Sequence, residues 1–130
     1  MRVLIVEDER PAAERLRTLL CRSEPTIEIA GITESIEETV DFLQQQVYPD
    51  LILLDIHLSD GHSFEIFKQV NCKLPVIFTT AYDEYALEAF RLLSIDYLLK
   101  PITELSLRKA LFKFKELANT FAATTLETAN

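Results

Sequence analysis

The chain has 130 residues, 48% of them hydrophobic, and a formal net charge of −8. That length suits one domain with a sizeable core, and the charge excludes unaided binding to DNA or to an anionic membrane surface. No run approaches the ~18 apolar residues that a membrane span needs. Cys21 and Cys72 are too few and too far apart for a disulfide framework or a zinc site, and read as reduced thiols. Met1-Arg2-Val3 enters a strand pattern directly, with no signal-peptide layout, so the expected location is cytoplasmic.

Apolar and amphipathic segments alternate five times along the chain. Strand one is expected at Arg2–Val6, and helix one at Pro11–Arg22, where Pro11 suits a first helical position. Ala12, Leu16, Leu19 and Leu20 are spaced for one face of that helix. Strand two is expected at Thr26–Ile32. Helix two follows Ser35, because Ser35-Ile-Glu-Glu38 reads as a capping box, with Ile36, Val40, Leu43 and Val47 as its apolar stripe. Strand three is Leu51–Asp55, helix three Phe64–Val70, strand four Val76–Thr79, and helix four Glu84–Leu93 with Asp83 as cap. Strand five is Asp96–Leu99, and helix five runs from Glu104 to Asn119. From Thr120 to Asn130 the periodicity is lost, which predicts a helix end and the start of a linker.

Leu51-Ile-Leu-Leu is an unbroken apolar run, as in a strand buried on both faces. Five strands with crossover helices imply an α/β fold with a parallel sheet covered on both sides. The length and the acids at the strand ends favour a flavodoxin-like doubly wound sheet of order 2-1-3-4-5 with five helices. In that order strands one and three are neighbours, and their carboxyl ends bring Glu7, Asp8 and Asp55 together. Three crowded carboxylates repel one another unless one takes up a proton or a divalent cation joins them. Carboxylates plus a carbonyl are hard oxygen ligands, the set in which Mg²⁺ is usually held.

Glu7-Asp8 after strand one, Asp55 after strand three, Thr79-Thr80-Ala81 after strand four and Lys100-Pro101 after strand five come in one order. In this the chain resembles the receiver domain of two-component response regulators, of CheY-like fold, up to about Asn119. Phe78-Thr-Thr-Ala-Tyr-Asp-Glu-Tyr-Ala-Leu-Glu-Ala-Phe90 with Asp96-Tyr-Leu-Leu-Lys-Pro101 looks most like receivers of the LytTR (LytR/AlgR) class. The resemblance implies roles. Asp55 would accept a phosphoryl group from a histidine kinase. Asp8, Asp55 and the backbone carbonyl of His57 would ligate Mg²⁺, with Glu7 acting through a water. Thr80, Lys100 and the backbone N–H of Ala81 would steady the phosphoryl, and Thr80 and Tyr97 would form the switch. His57 and Tyr82 would flank the pocket mouth and tune dephosphorylation. The Lys100–Pro101 peptide is expected to be cis. Such a domain is a signalling phosphoacceptor that catalyses its own phosphorylation and dephosphorylation, not a conventional enzyme. Homodimerisation through the helix 4–strand 5–helix 5 face is implied, with Tyr85, Leu87, Arg91, Asp96 and Lys109 as surface candidates. A C-terminal LytTR DNA-binding domain is the implied output, since this chain is too acidic to bind DNA itself.

Other readings fit less well. In a flavodoxin the first loop would cradle phosphate, and Glu7-Asp8-Glu9 repels it. A Mg²⁺-dependent phosphohydrolase wants Asp-x-Asp where this chain has Asp55-Ile56-His57. A pseudo-receiver that acts as an interaction module without phosphorylation would not need the full set of Asp8, Asp55, Thr80 and Lys100.

Overall fold

The apolar runs of the sequence become one parallel sheet in the computed structural model, which describes residues 1–45, 48–71, 73–82 and 94–129, from residue 120 on as backbone. Its strands are β1 (Arg2–Val6), β2 (Glu28–Thr33), β3 (Leu51–Asp55), β6 (Val76–Thr80) and β7 (Asp96–Leu99). They lie in the order β2-β1-β3-β6-β7, which is the expected 2-1-3-4-5. Every adjacent pair in this sheet is parallel. Side chains alternate between the two faces with the period of a strand. Val3, Ile5, Leu51, Leu53 and Ile77 pack with α1 (Arg10–Ser23) and the C-terminal helix (Glu104–Ala129). Leu4, Val6, Ile52, Leu54, Val76 and Phe78 pack with α2 (Ile36–Gln44) and α3 (Ile66–Gln69). Both faces are covered, so the strands need no polar positions until they reach the sheet edge.

Helix starts follow their capping chemistry. Ser35 caps α2 by accepting from Glu38 N–H at 3.0 Å. Thr103 and Ser106 cap the C-terminal helix reciprocally, each hydroxyl accepting from the other's N–H at 3.1 and 3.2 Å. Glu9 is the residue before α1 and Pro11 sits in its first turn, where a missing N–H costs nothing.

Several boundaries differ from expectation. Ala13 rather than Ala12 joins Leu16, Leu19 and Leu20 on the buried face of α1. The strand expected from Thr26 begins at Glu28, because Ile27 N–H closes a turn onto the Glu24 carbonyl at 3.0 Å. The helix expected at Phe64–Val70 is a 3₁₀ turn, Ser63–Glu65, leading into the four-residue α3. The segment before it is occupied by a hairpin of β4 (His57–Leu58) and β5 (Gly61–His62). The C-terminal helix continues to Ala129 instead of ending at Asn119. No Pro or Gly interrupts it, and loss of an apolar stripe does not by itself break a helix. Val47, Cys72, Asp83 and the helix expected at Glu84–Leu93, with Tyr85, Leu87 and Arg91, lie outside the described residues. No described helix is long and apolar enough to cross a membrane.

Candidate functional site

The register of the sheet builds the site. Val6 pairs with Leu54 across β1 and β3, so the residues that follow, Glu7 and Asp55, leave the sheet side by side. Asp55 pairs with Thr79 on β6, and Thr80 pairs with Leu99 on β7, which brings Thr80 and Lys100 to the same edge. Lys100 N–H donates to the Thr80 carbonyl at 2.7 Å, and the Lys100–Pro101 peptide is cis. Arg15 of α1 donates to the Ile102 carbonyl at 3.0 Å, fastening the loop just beyond.

Lys100 reaches back over the strand ends. Its Nζ donates to Glu7 Oε1 at 2.7 Å and to Asp55 Oδ2 at 2.8 Å. The other Asp55 oxygen, Oδ1, accepts from His57 N–H at 3.2 Å. Glu7 and Asp55 are buried, while Asp8 opens to solvent. The Glu7 carboxyl is pushed from 4.5 up to about 8, first by burial and then by the Asp55 carboxylate against it, which together outweigh the pull of Lys100. Lys100 itself is raised: burial opposes its charge, but the bonds to Asp55 and Glu7 prevail.

Glu7, Asp8 and Asp55 each offer an oxygen within 4.8 Å of the others. Glu7 Oε2 is buried and has no hydrogen-bond partner among the described residues. An unsatisfied buried carboxylate oxygen beside two further carboxylates is a donor set that fits a small hard divalent cation.

Asp8, Glu9, Asp55, His57, Ala81, Tyr82 and Lys100 line a cavity of about 410 Å³ above these groups. Tyr82 of this lining is 55% exposed, its ring edge-to-face with His57 at 5.1 Å between centroids. His62 also meets His57 edge-to-face, at 4.9 Å between centroids. Thr80 is fully buried, and its Oγ1 accepts from Tyr82 N–H at 3.2 Å. Tyr97 is half-buried and donates its hydroxyl to the Tyr82 carbonyl. Asp96 pairs with Lys113 at 3.6 Å and Lys109 is exposed. The arrangement therefore gathers Asp8, Asp55, His57, Ala81, Tyr82 and Lys100 around one cavity, with Glu7 bonded to Lys100 and Thr80 and Tyr97 each bonded to Tyr82. Asp60 and Arg15 were not singled out from the sequence, although Asp60-Gly61 is a hairpin dipeptide.

Chemically, one carboxylate stands at the floor with an ammonium on one oxygen and an amide on the other, in an acidic pocket open to solvent. The family model of the response regulator receiver domain matches residues 3–112. The sensory transduction protein LytT of Bacillus subtilis (strain 168) is 42% identical over 119 residues, which is 89% of this chain and 48% of that protein. LytT of Bacillus cereus is 40% identical over the same number of residues and the same shares. The chain thus spans about half the length of the curated relatives it matches. Among solved structures, the response regulatory domain of protein mrkE from Klebsiella pneumoniae matches with a TM-score of 0.81 at 31% identity, over 92% of this chain and 99% of that one. The N-terminal domain of a response regulator/sensory box/GGDEF 3-domain protein from Carboxydothermus hydrogenoformans matches with a TM-score of 0.80 at 27% identity, over 94% and 99%.

Proposed function

This chain belongs to the response regulator receiver domain family, and we propose that Asp55 is the residue through which it receives its signal, as a phosphoryl group from a histidine kinase. It is a signalling domain of a two-component system. The observation that carries the assignment is the pair of contacts on Asp55: Lys100 Nζ on one oxygen and His57 N–H on the other. They orient a carboxylate at the floor of a solvent-open pocket.

In the transfer, an Asp55 oxygen forms a bond to phosphorus as the bond from phosphorus to the donor breaks. The donor leaves with the electron pair, from a phosphohistidine or from a small acyl phosphate. Catalysis here is mainly positioning and neutralisation of the equatorial oxygens. Asp8, Asp55 and the His57 carbonyl would hold Mg²⁺, with Glu7 acting through a water; the ion would neutralise charge on the phosphoryl oxygens. Lys100 turns from Asp55 and Glu7 to another of those oxygens. The Thr80 hydroxyl, whose oxygen accepts from Tyr82 N–H, donates its O–H to the phosphoryl, and the Ala81 N–H takes the oxygen that remains. Because Tyr97 is bonded to the Tyr82 carbonyl, movement of the Ala81–Tyr82 segment reaches β7. The domain would thereby catalyse its own phosphorylation, and later its own dephosphorylation by an in-line water.

The output follows the same reading. Phosphorylation would alter the face formed by the fourth helix, β7 and the C-terminal helix, favour a homodimer there, and control a LytTR-type DNA-binding domain in the other half of the protein. Residues 1–119 would be the receiver, and 120–130 the helix end that leads to it. The LytT relatives at about twice the length support this organisation, and the working place is the cytoplasm. Intact-mass measurement after incubation with an acyl phosphate and Mg²⁺ tests the reading. One phosphoryl gained supports it; none gained would make the chain a pseudo-receiver that acts by contact alone.

A further inference from the structure

We infer that Asp60 is a positioning residue for the acceptor site: through the β4–β5 hairpin it ties the His57 backbone to the start of α2, and so sets the pocket's affinity for a divalent cation. The inference rests on the metal reading proposed above. The first amides of a helix have no partner within it. In α2, Ser35 takes the Glu38 N–H. Asp60 takes two others, accepting from Ile36 N–H on Oδ1 at 2.8 Å and from Glu37 N–H on Oδ2 at 3.2 Å. Both of its oxygens are engaged, and its charge meets the positive end of the helix dipole. Asp60 stands 24 residues from Ile36, so this is a tie between two parts of the fold and not a local cap. Burial raises its carboxyl, but the backbone N–H bonds outweigh that and hold it below the usual carboxylate range.

The tie is mechanically short. Leu58 pairs with Gly61 and His57 with His62. Gly61 has φ 137°, a conformation other residues rarely adopt, so the corner is set. Ser63 N–H donates to the Ile56 carbonyl at 2.8 Å. In an antiparallel ladder bonded and non-bonded pairs alternate. With Ile56 and Ser63 bonded, the N–H and carbonyl of His57 face away from β5. The N–H goes to Asp55 Oδ1, and the carbonyl shares its side. Glu7, which bonds Lys100 of the pocket lining, is fixed to the same corner. Glu7 N–H donates to the Thr33 carbonyl at 2.9 Å. Thr33 and Thr39 hydroxyls bond at 2.7 Å, and Thr39 donates to the Ser35 carbonyl at 2.8 Å. The β2–α2 corner is thus a brace. It holds Glu7 through Thr33 and the His57 side of the pocket through Asp60.

A purely structural cap would cost stability and leave the pocket alone. The test therefore compares Asp60→Ala with Ser35→Ala, since each removes a cap from the same helix and only the first cuts the tie. Calorimetric titration with Mg²⁺ reads affinity, and hydrogen exchange of the His57 amide in chelator reads the backbone without metal. We expect Asp60→Ala to weaken Mg²⁺ binding about tenfold and to speed His57 exchange, and Ser35→Ala to stay within about twofold of wild type in both. Equal Mg²⁺ affinity and equal His57 exchange in the two variants would overturn the inference. If Asp60→Ala fails to fold, Asp60→Asn, which keeps one acceptor oxygen, takes its place with the same criteria. If wild type itself takes up no Mg²⁺, the metal reading falls, and the inference falls with it; the exchange arm then reports only whether the tie holds His57.

Discussion

Glu7 should make the metal-free domain less stable as pH rises, a direction opposite to that of the paired surface acids. Its carboxyl is raised from 4.5 to about 8 by burial and then by Asp55. In the unfolded chain it ionises near its ordinary value, so the native state keeps a proton that the unfolded state has lost. Stability is therefore full below about 4.5 and declines until about 8. At ~1.4 kcal/mol per pH unit the interval caps the effect at about 5 kcal/mol. Lys100 lets Glu7 and Asp55 share one positive charge, so we expect about 2 kcal/mol between about pH 5 and pH 8. For this chain length that is about 8 °C in Tm. Other shifted groups leave the window clear. Lys100 is raised above 10.5, and its contribution is constant below that value. Glu24, held down first by its hydrogen bond from Lys115, and Asp60 lose their contributions only as pH falls through the acid range. Urea unfolding in EDTA at several pH values measures the slope, with Glu7→Gln as the isosteric control. Gln can still accept from Lys100, carries no charge, and should flatten the slope and stabilise the apo domain near pH 8. Saturating Mg²⁺ should flatten it in wild type, because a cation displaces the proton. A wild-type slope that is flat or rising over this window, or one that survives in Glu7→Gln, would refute the reasoning.

Tyr82 lines the pocket with its ring edge-to-face on His57; as the proposed shield of the phosphoryl, its removal in Tyr82→Ala should make phosphate loss about tenfold faster, a barrier change of about 1.4 kcal/mol. Equal or slower loss at saturating Mg²⁺ shows that it is not the shield. Asp55→Asn should raise Tm in chelator, because it leaves Lys100 to Glu7 alone and removes one repelling charge; Mg²⁺ should then stabilise wild type more than the variant, and a lower Tm in chelator counts against a crowded pocket. Phe78 is fully buried and edge-on to Phe64 and Phe67 at 5.3 and 6.3 Å. Phe78→Ala should cost about 3–5 kcal/mol in urea unfolding, and a loss under about 1 kcal/mol would mean that the core refills the space.

The sheet was legible because a parallel strand buried on both faces has one signature, an apolar run such as Val3–Val6 or Leu51–Leu54. The acids that end those runs were legible for the same reason, since polarity begins where cover stops. Local chemistry also placed the Ser35 cap. What was not legible depends on partners distant in sequence. Ser59-Asp60-Gly61 reads as loop until the Asp60 carboxylate meets α2, and the hairpin then shortens the helix expected from Phe64. The burial of Glu7 under Lys100 with Asp8 left open depends on where the lysine after the fifth strand lands. The Tyr97–Tyr82 bond joins a residue of β7 to one in the loop after β6 and has no sequence period to announce it.

Transfer of the phosphoryl group to Asp55 leaves a bond that can be trapped chemically. Borohydride reduction of the acyl-phosphate-treated domain, followed by peptide mass spectrometry, converts an aspartyl phosphate to homoserine and locates it. The account predicts homoserine at position 55 in wild type with Mg²⁺, and none anywhere in Asp55→Asn. Homoserine at Asp8 or at any other acidic position, or a phosphoryl group retained in Asp55→Asn, would contradict it.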